Sequence, residues 1–338
     1  MFRFEMKKDR FTVLNLSDMQ LNEYHYDPND PRFDNSYAVF DYTVRELIER
    51  VKPDLITITG DLSMADQPKA YPQLADYIDA LGIPWCAVWG NHEEEDVEKR
   101  VNFVYEFLPY YRSKQHFFHE DGAPELGNGN YLIFIEKDNK PVHTLFMLDS
   151  HNCVWLPDEN GVKQFFYDKL TEAQIEWYKK QAVAVKAQGC THSTMMLHIP
   201  IYAYWEAWDK ALKADVDPLK VTLAESYTGD CWNAGFEGAY GVGWGGRENA
   251  YPYDDGVFDA ILEMGITDSV IAGHVHLHNT VIPYKGVRLA FTLKTGKVNP
   301  WMPPLNGGTV ISIREDGSSE LYHEYVDVTH LMNRYDCR

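Results

Sequence analysis

The feature that most constrains this fold is a recurring pair: a short apolar run followed directly by polar or glycine residues. Each run has the length of a buried strand. Segments with helical spacing separate the early runs, and such alternation is typical of an α/β fold. The runs are Phe11–Leu16, Leu55–Thr59, Cys86–Trp89, Leu145–Leu148, Thr194–Leu197 and Ser269–Ala272.

Several segments between the runs carry apolar residues at helical spacing. The clearest begins at Thr171, which forms a capping-box pattern with Gln174, and Gly189 follows its end. Pro53 ends the first helix and Gly265 the last. The predicted helices are Tyr37–Val51, Tyr71–Leu81, Glu94–Leu108, Thr171–Ala187 and Asp255–Met264.

The C-terminal part differs, because successive strands replace the alternation after Gly286. Two packed mixed β-sheets flanked by helices would accommodate both parts. We therefore predict one domain over residues 1–338, with a β-rich part from about residue 287. The late strands are predicted at Val287–Leu293, Thr309–Ile313 and Glu320–Val326, with turns at Asn306–Gly308 and Asp316–Gly317.

One segment, at about residues 201–253, is rich in aromatic residues and has no clean periodicity. It also holds the glycine-rich run Gly241–Gly246. We predict an ordered insertion, and long ordered loops in compact domains are often functional. Packing accounts for such aromatic residues more often than recognition does.

The polar residues after the strands form one candidate site, because the carboxyl ends of strands in an α/β sheet face a common crevice. Carboxylate, amide and imidazole ligands without cysteine suit zinc, manganese, iron or cobalt ions. Two such ions close together need a shared ligand, which a carboxylate can provide. The candidate residues are Asp18, Asp61, Asn91, His92, His198, His274 and His276.

In their order along the chain, these residues resemble the signature of the calcineurin-like metallophosphoesterase superfamily. Each piece is weak alone, but the ordered set spans residues 18 to 276. The surroundings of Asn91 and His198 are most similar to the smaller purple-acid-phosphatase-like members. The pattern reads Asp18-Met19-Gln20, Gly60-Asp61, Gly90-Asn91-His92-Glu93, His198 and Gly273-His274-Val275-His276.

The resemblance implies a role for each residue. His92 would face the phosphoryl group and either stabilise its charge or protonate the leaving oxygen. Asp61 would bridge two divalent or trivalent ions, and a metal-bridging hydroxide would attack a small-molecule phosphate ester. The implied ligands are Asp18 and His276 for the first ion, and Asn91, His198 and His274 for the second.

The sequence departs from the superfamily pattern in three respects. Gln20 stands where histidine is common, so it would be a weak neutral ligand of the first ion or leave its place to water. Met64 stands where phosphoprotein phosphatases have an aspartate that partners the catalytic histidine. His92 would act without that partner, or Glu93–Glu95 would supply another carboxylate. No tyrosine follows Asp61, so the colour of true purple acid phosphatases is not expected.

Other polar residues leave alternatives open. His192 rivals His198 as a ligand, since an even spacing keeps one face of a strand. His278 is predicted to lie behind the ligands or at the surface. His151 ends another strand and could touch substrate, although an ordinary loop position explains it equally well. Arg247, in the glycine-rich run, suits bidentate binding of a phosphate group.

The composition restricts partners and compartment. Lys+Arg number 31 against 51 Asp+Glu, and a net charge of -20 repels phosphate backbones, so general nucleic-acid binding is not expected. The five cysteines are scattered without a CxxC spacing, which favours a reducing compartment over a disulfide framework or a thiolate zinc site. No signal peptide or transmembrane run is evident, so a cytoplasmic protein without membrane association is predicted.

Three functions are compatible with these patterns. The first is metal-dependent hydrolysis of a phosphate mono- or diester. The second is a catalytically degenerate phosphoesterase fold that acts as a binding or scaffold protein, which Gln20 favours and the retained His92 opposes. The third is an enzyme for one sugar or lipid phosphate, gated by the aromatic insertion.

Overall fold

The computed structural model describes residues 1–22, 35–64, 69–93, 106–217, 230–243, 250–298 and 300–332. Its strands form two β-sheets and a separate two-stranded ribbon. The strands are β1 (Phe2–Glu5), β2 (Arg10–Leu16), β3 (Leu55–Thr59), β4 (Trp85–Val88), β5 (Tyr131–Lys137), β6 (Lys140–Met147), β7 (Cys153–Pro157), β8 (Lys163–Tyr167), β9 (Ser193–Leu197), β10 (Thr267–Ala272), β11 (Val281–Tyr284), β12 (Val287–Phe291), β13 (Gly307–Arg314) and β14 (Ser319–Tyr325). The helices are α1 (Ser36–Val51), α2 (Ala70–Asp79), α3 (Leu108–Arg112), α4 (Glu172–Ala187), α5 (Ala203–Ala211) and α6 (Val257–Met264).

Both sheets are mixed, with parallel strands at their centres. The larger sheet has the order β1-β5-β6-β9-β10-β12-β11, in which β6, β9, β10 and β12 run parallel. The smaller sheet has the order β14-β13-β2-β3-β4, in which β2, β3 and β4 run parallel. The ribbon pairs β7 with β8 in antiparallel fashion.

Alternate residues along the central strands pack into different apolar cores. Val13 and Leu55 pack between the two sheets, whereas Leu14 and Ile56 pack beneath helices α1 and α2. Successive side chains of a strand point to opposite faces, and here both faces are buried. These strands are therefore apolar throughout. Helices α4, α5 and α6 cover the outer face of the larger sheet. The prediction of two packed mixed sheets flanked by helices is confirmed.

Local signals at the helix ends agree with the sequence. The Thr171 side chain accepts a hydrogen bond from the backbone N–H of Gln174, and the Gln174 side chain accepts one from the backbone N–H of Thr171. This is the capping box that the sequence predicts. Helix α6 ends at Gly265 with φ 63, a left-handed conformation that glycine adopts readily.

Some predictions of elements were wrong or incomplete. The turn expected at Asn306–Gly308 is wrong, because β13 begins at Gly307 and a 3-10 helix at Pro303–Leu305 makes the turn. The helix expected at Glu94–Leu108 lies largely outside the described residues. Strands β1, β5 and β11, the ribbon and helices α3 and α5 were not predicted.

The aromatic insertion contributes to the main core over part of its length. Tyr204 and Trp205 of helix α5 are buried, and the Tyr204 hydroxyl donates to the carbonyls of Val270 and Ala290. Packing thus accounts for these rings. No helix in the described ranges is long and apolar enough to cross a bilayer.

Candidate metal centre

Five strands from both sheets end at one place. Asp18, Asp61 and Asn91 follow β2, β3 and β4, and His198 and His274 follow β9 and β10. All five residues are buried. They therefore lie at the carboxyl ends of parallel strands, where the two sheets face each other, as the sequence predicts for a site of this kind.

Glycines allow the loops to approach closely. A Cβ atom at Gly60, where φ is +84, would lie 2.6 Å from the backbone nitrogen of Gly90 and from Nδ1 of His198. A Cβ atom at Gly90 would lie 2.2 Å from Oδ1 of Asp61. The glycines before Asp61 and Asn91 are thus required by contact between loops.

Three of the converging residues have an unfavourable backbone conformation. Asp18 and Asp61 have φ 53 and His274 has φ 70, in the left-handed region that costs a non-glycine residue roughly 1 kcal/mol or more. Backbone hydrogen bonds, such as that from Asp18 N to Gly60 O at 3.1 Å, hold them there. Strain of this kind clusters at functional sites.

A first group of ligand atoms surrounds Nε2 of His198. That atom lies 3.3 Å from Oδ1 of Asp61, 3.1 Å from Oδ1 of Asn91 and 3.2 Å from Nδ1 of His274. The ligand atoms of Asp61, His198 and His274 all lie within 4.8 Å of one another. We call Asp61, Asn91, His198 and His274 the His198 cluster.

A second group contains Asp18, Asp61 and His276, whose ligand atoms also lie within 4.8 Å of one another. Nε2 of His276 is 3.1 Å from Oδ1 of Asp18, and its Nδ1 is 3.0 Å from the carbonyl of Pro300. A carbonyl on the second ring nitrogen fixes the ring orientation in many metal sites. We call this group the Asp18 cluster, and Asp61 belongs to both clusters.

The charges at the two clusters suit a metal ion. Burial raises the pKa of Asp18, but the hydrogen bond with His276 and the nearby His198 outweigh it and bring the pKa to about 2. Burial, and then His198, lowers the pKa of His274 to about 3. Nδ1 of His274 is the ring nitrogen that faces the cluster, 3.2 Å from Nε2 of His198. Ionised carboxylates and a neutral imidazole are what a cation binds, so these residues fit metal ions.

Glu93 ties two of the loops together. Its buried carboxylate accepts hydrogen bonds from the backbone nitrogens of Asp61 at 2.8 Å, Leu62 at 2.9 Å and Gly90 at 2.7 Å. Burial, and then the charge of Asp61, raises the pKa of Glu93 to about 7. Its hydrogen bonds hold the ligand loops, so the expectation that Glu93 orients His92 gains no support.

His92 lies at the mouth of the site. Its backbone N–H donates to Oδ1 of Asp61 at 3.1 Å, and its Nε2 lies 3.7 Å from Oδ2 of Asp61. The side chain is 12% exposed, whereas that of Asp61 is 1% exposed. His92 can therefore reach a group that binds over the ligand clusters.

Sequence reasoning missed Lys294. This lysine is buried, and its Nζ donates to the backbone carbonyl of Asp18 at 2.6 Å and to Oε1 of Gln20 at 2.7 Å. Gln20 in turn donates from Nε2 to Oδ2 of Asp61 at 3.0 Å. A single lysine far along the chain carries no local signal, so the sequence alone could not indicate it.

The ribbon β7–β8 was missed as well, and it lies beside the His198 cluster. The ring centroid of Tyr167 is 4.2 Å from that of His274, and that of Phe165 is 5.2 Å from Tyr167. Trp155 lies opposite Phe165 across the ribbon at 5.6 Å. Trp155 is 56% and Phe165 46% exposed, so the row of rings runs from solvent to a candidate ligand.

The structure also places the residues that were left open. His192 pairs with Asp268 at 2.8 Å just before β9, at the opposite end of that strand from His198. His278 is buried among aromatic rings, not at the surface. The ring of His151 contacts Oε1 of Gln174 at 2.8 Å. Arg247 lies outside the described residues.

Comparison with known proteins identifies a family. The model of the family described as calcineurin-like phosphoesterase matches residues 11–278. That range includes every residue of both clusters.

Curated relatives agree with this match. The chain is 30% identical over 207 residues to the Saccharomyces cerevisiae protein "Phosphatase DCR2", which covers 56% of this chain and 34% of that protein. It is 25% identical over 257 residues to the Arabidopsis thaliana "Probable inactive purple acid phosphatase 29", which covers 72% of this chain and 60% of that protein. The chain thus spans about a third of the yeast protein and three-fifths of the plant protein.

Solved structures share the fold. A dimetal phosphatase from Danio rerio superposes with a TM-score of 0.55 at 13% identity, over 95% of this chain and 98% of that chain. A purple acid phosphatase from Lupinus luteus gives a TM-score of 0.50 at 14% identity, over 98% of this chain and 56% of that chain.

Proposed function

This chain belongs to the calcineurin-like phosphoesterase family, and on that basis we propose that it hydrolyses a phosphate ester of a small molecule. The observation that carries the proposal is that Asp61 belongs to two ligand clusters at once. Such sharing is the arrangement that two neighbouring metal ions need. Asp18 and His276 would hold one ion, and Asn91, His198 and His274 the other.

Bound ions would lower the pKa of a water molecule and so supply a nucleophile at neutral pH. The chain itself supplies the remaining functions. His92, at the mouth, would stabilise the charge of the phosphoryl group or protonate the leaving oxygen. Glu93 would hold the Asp61 loop and the Gly90 loop together, because its carboxylate accepts hydrogen bonds from the backbone of both. The ions would also offset the acidity of the chain at the site.

The ribbon is the proposed place for the organic part of the ester. Tyr167 packs against His274, and the exposed rings of Phe165 and Trp155 continue away from it. Aromatic rings supply large contact area at low entropic cost, and their faces stack on planar groups. The ribbon is therefore the aromatic element that we propose for substrate recognition. The described aromatic rings of helix α5, in the insertion, pack in the core instead.

A second candidate function, a scaffold without turnover, is favoured by one observation. Nζ of Lys294 donates a hydrogen bond to Oε1 of Gln20, so this oxygen is already engaged beside the Asp18 cluster. The superfamily pattern commonly has a histidine ligand at the position of Gln20. His92 opposes this reading, because a scaffold has no use for it.

The proposal is tested by hydrolysis of a chromogenic phosphate monoester and of a diester. The metal-free chain is first reloaded with manganese, iron, zinc or cobalt. We expect turnover that depends on the metal, and the monoester-to-diester ratio will narrow the substrate. Absence of turnover with every metal, although two ions are bound, would favour the scaffold.

A further inference from the structure

Lys294 is an unusual residue to find next to a cation site. It follows strand β12 and is only 2% exposed. Lysine is rarely buried unless it is paired. Its described hydrogen-bond acceptors are the Asp18 carbonyl and the Gln20 amide oxygen, both of them neutral groups. Its charge therefore acts on whatever binds at the neighbouring carboxylates.

The orientation of the Gln20 amide follows from its two neighbours. The lysine ammonium can only donate, so it faces the amide oxygen at 2.7 Å. The ionised carboxylate of Asp61 can only accept, so it faces the amide nitrogen at 3.0 Å. Gln20 thus presents a hydrogen-bond donor to the shared aspartate, and its oxygen is already occupied.

Lys294 contacts the Asp18 cluster directly and reaches the His198 cluster only through the shared Asp61. It contacts the backbone of Asp18, reaches Asp61 through Gln20, and interacts electrostatically with both aspartates. Neither of the described hydrogen bonds of Lys294 goes to Asn91, His198 or His274.

We infer that Lys294 acts as a built-in cation at the Asp18 cluster, so that this cluster binds its metal ion more weakly than the His198 cluster and fills second. Like charges repel strongly at short range in a buried site. Gln20 extends the effect, because its N–H group competes with a metal ion for Oδ2 of Asp61. The inference rests on the metal-binding part of the proposed function and does not require hydrolysis.

Calorimetric titration of Mn²⁺ and of Zn²⁺ into the metal-free chain tests the inference. The unaltered chain should bind two ions with affinities that differ by ~10-fold or more. His276→Ala should abolish the weaker event, which assigns it to the Asp18 cluster. Lys294→Met should tighten the weaker event by ~10-fold or more and change the tighter one much less, because Lys294 reaches the His198 cluster only through Asp61.

Two further variants keep the test decisive. Lys294→Gln is neutral yet polar, so it tests the role of charge if the methionine variant fails to fold. Lys210→Met is the matched control, because Lys210 is an exposed lysine whose described side-chain hydrogen bonds go to Glu206 and Tyr284, neither of them a ligand residue, and both affinities should stay unchanged. Equal affinities in the unaltered chain, or a weaker event that neither neutral variant tightens, would overturn the inference. Failure to bind any ion would overturn it together with the metal-binding proposal, whereas two bound ions without hydrolysis would leave it intact.

Discussion

At the scale of single residues, His92 differs from the ligand candidates around it. Its backbone is fixed by Asp61, while its ring lies at the mouth of the site with Nε2 3.7 Å from Oδ2 of Asp61. Its ring can therefore contact a substrate that binds over the ligand clusters.

We predict that His92→Ala lowers turnover by roughly 10²–10⁴-fold, the usual contribution of a positioned acid or base. Metal content should stay close to that of the unaltered chain, because the residues that form the two ligand clusters are all unchanged. The measurement is steady-state hydrolysis with metal analysis of the same sample. His330→Ala, at an exposed histidine, is the control. A turnover equal to that of the control would remove His92 from the mechanism.

The order of motifs predicted which residues converge, but it could not predict what supports them. Asp18, Asp61 and His274 follow apolar runs, and that rule needs only local sequence. Lys294 reaches Asp18 across a separation that only the folded chain closes. The sequence offered Glu93 as a possible carboxylate partner of His92, and its three backbone partners in the fold show that it holds the loops.

At the scale of elements, the ribbon β7–β8 is the part whose role is easiest to test. One face carries Trp155, Phe165 and Tyr167, and this face ends against His274. Substitutions near its exposed end should affect substrate binding and leave the ligand clusters unchanged.

We predict that Phe165→Ala lowers kcat/KM for an aryl phosphate several-fold, by removal of about 1–2 kcal/mol of ring contact, and leaves that for glycerol phosphate unchanged. The measurement is the ratio of the two values in the same preparation. Tyr253→Ala is the matched control, since Tyr253 is an exposed aromatic residue outside the ribbon. Equal losses on both esters would mean that the ribbon does not contact the organic group.

Strands buried on both faces were the most predictable elements. Leu55–Thr59 has its predicted bounds, and the runs that became β2, β9 and β10 each extend by a residue or two. Strand β1 was missed because its residues are alternately exposed and half-buried and form no apolar run. The ribbon was missed because its side chains are a mixture of exposed and half-buried ones, so they follow no core pattern. Helix α5 was missed because bulky aromatic residues obscure its buried stripe of alanines at 203, 207 and 211.

At the scale of the whole molecule, buried polar groups join the two sheets. Asn15 of the smaller sheet donates to Thr59 at 2.9 Å and to Thr292 of the larger sheet's strand end at 3.1 Å. Thr309 donates to Thr292 at 3.0 Å and contacts Nδ1 of His323 at the same distance. These bonds fix the sheets where the ligands meet. We propose that both sheets form one domain.

Burial of histidine makes this fold sensitive to acid. Burial lowers the pKa of His143 and of His323 to about 4. The unfolded chain takes up a proton near pH ~6.5, while the folded chain does so only near the lowered pKa. The contribution of each of these two histidines to the free energy of unfolding is therefore fully present above pH ~6.5 and is lost as the pH drops towards 4. At pH ~5 the loss is about 2 kcal/mol for each histidine.

Denaturant unfolding of the metal-free chain at pH ~7 and ~5 checks this prediction. His323→Gln should reduce the difference between the two unfolding free energies by about 2 kcal/mol. His330→Gln, at an exposed histidine, should leave that difference unchanged. All other groups that titrate in acid are the same in both variants. If His323→Gln shows the same difference between the two unfolding free energies as the unaltered chain, buried His323 does not cause the acid sensitivity.

The measurement that tests the central claim most directly is ester hydrolysis against equivalents of added metal, in the unaltered chain and in Asp61→Asn. Asp61 is the ligand that both clusters share, and asparagine preserves its shape and the backbone bonds to Glu93. We predict that turnover rises with bound metal in the unaltered chain and falls by orders of magnitude in the variant, which keeps its fold. Equal rates in the two proteins at every metal level would contradict the account.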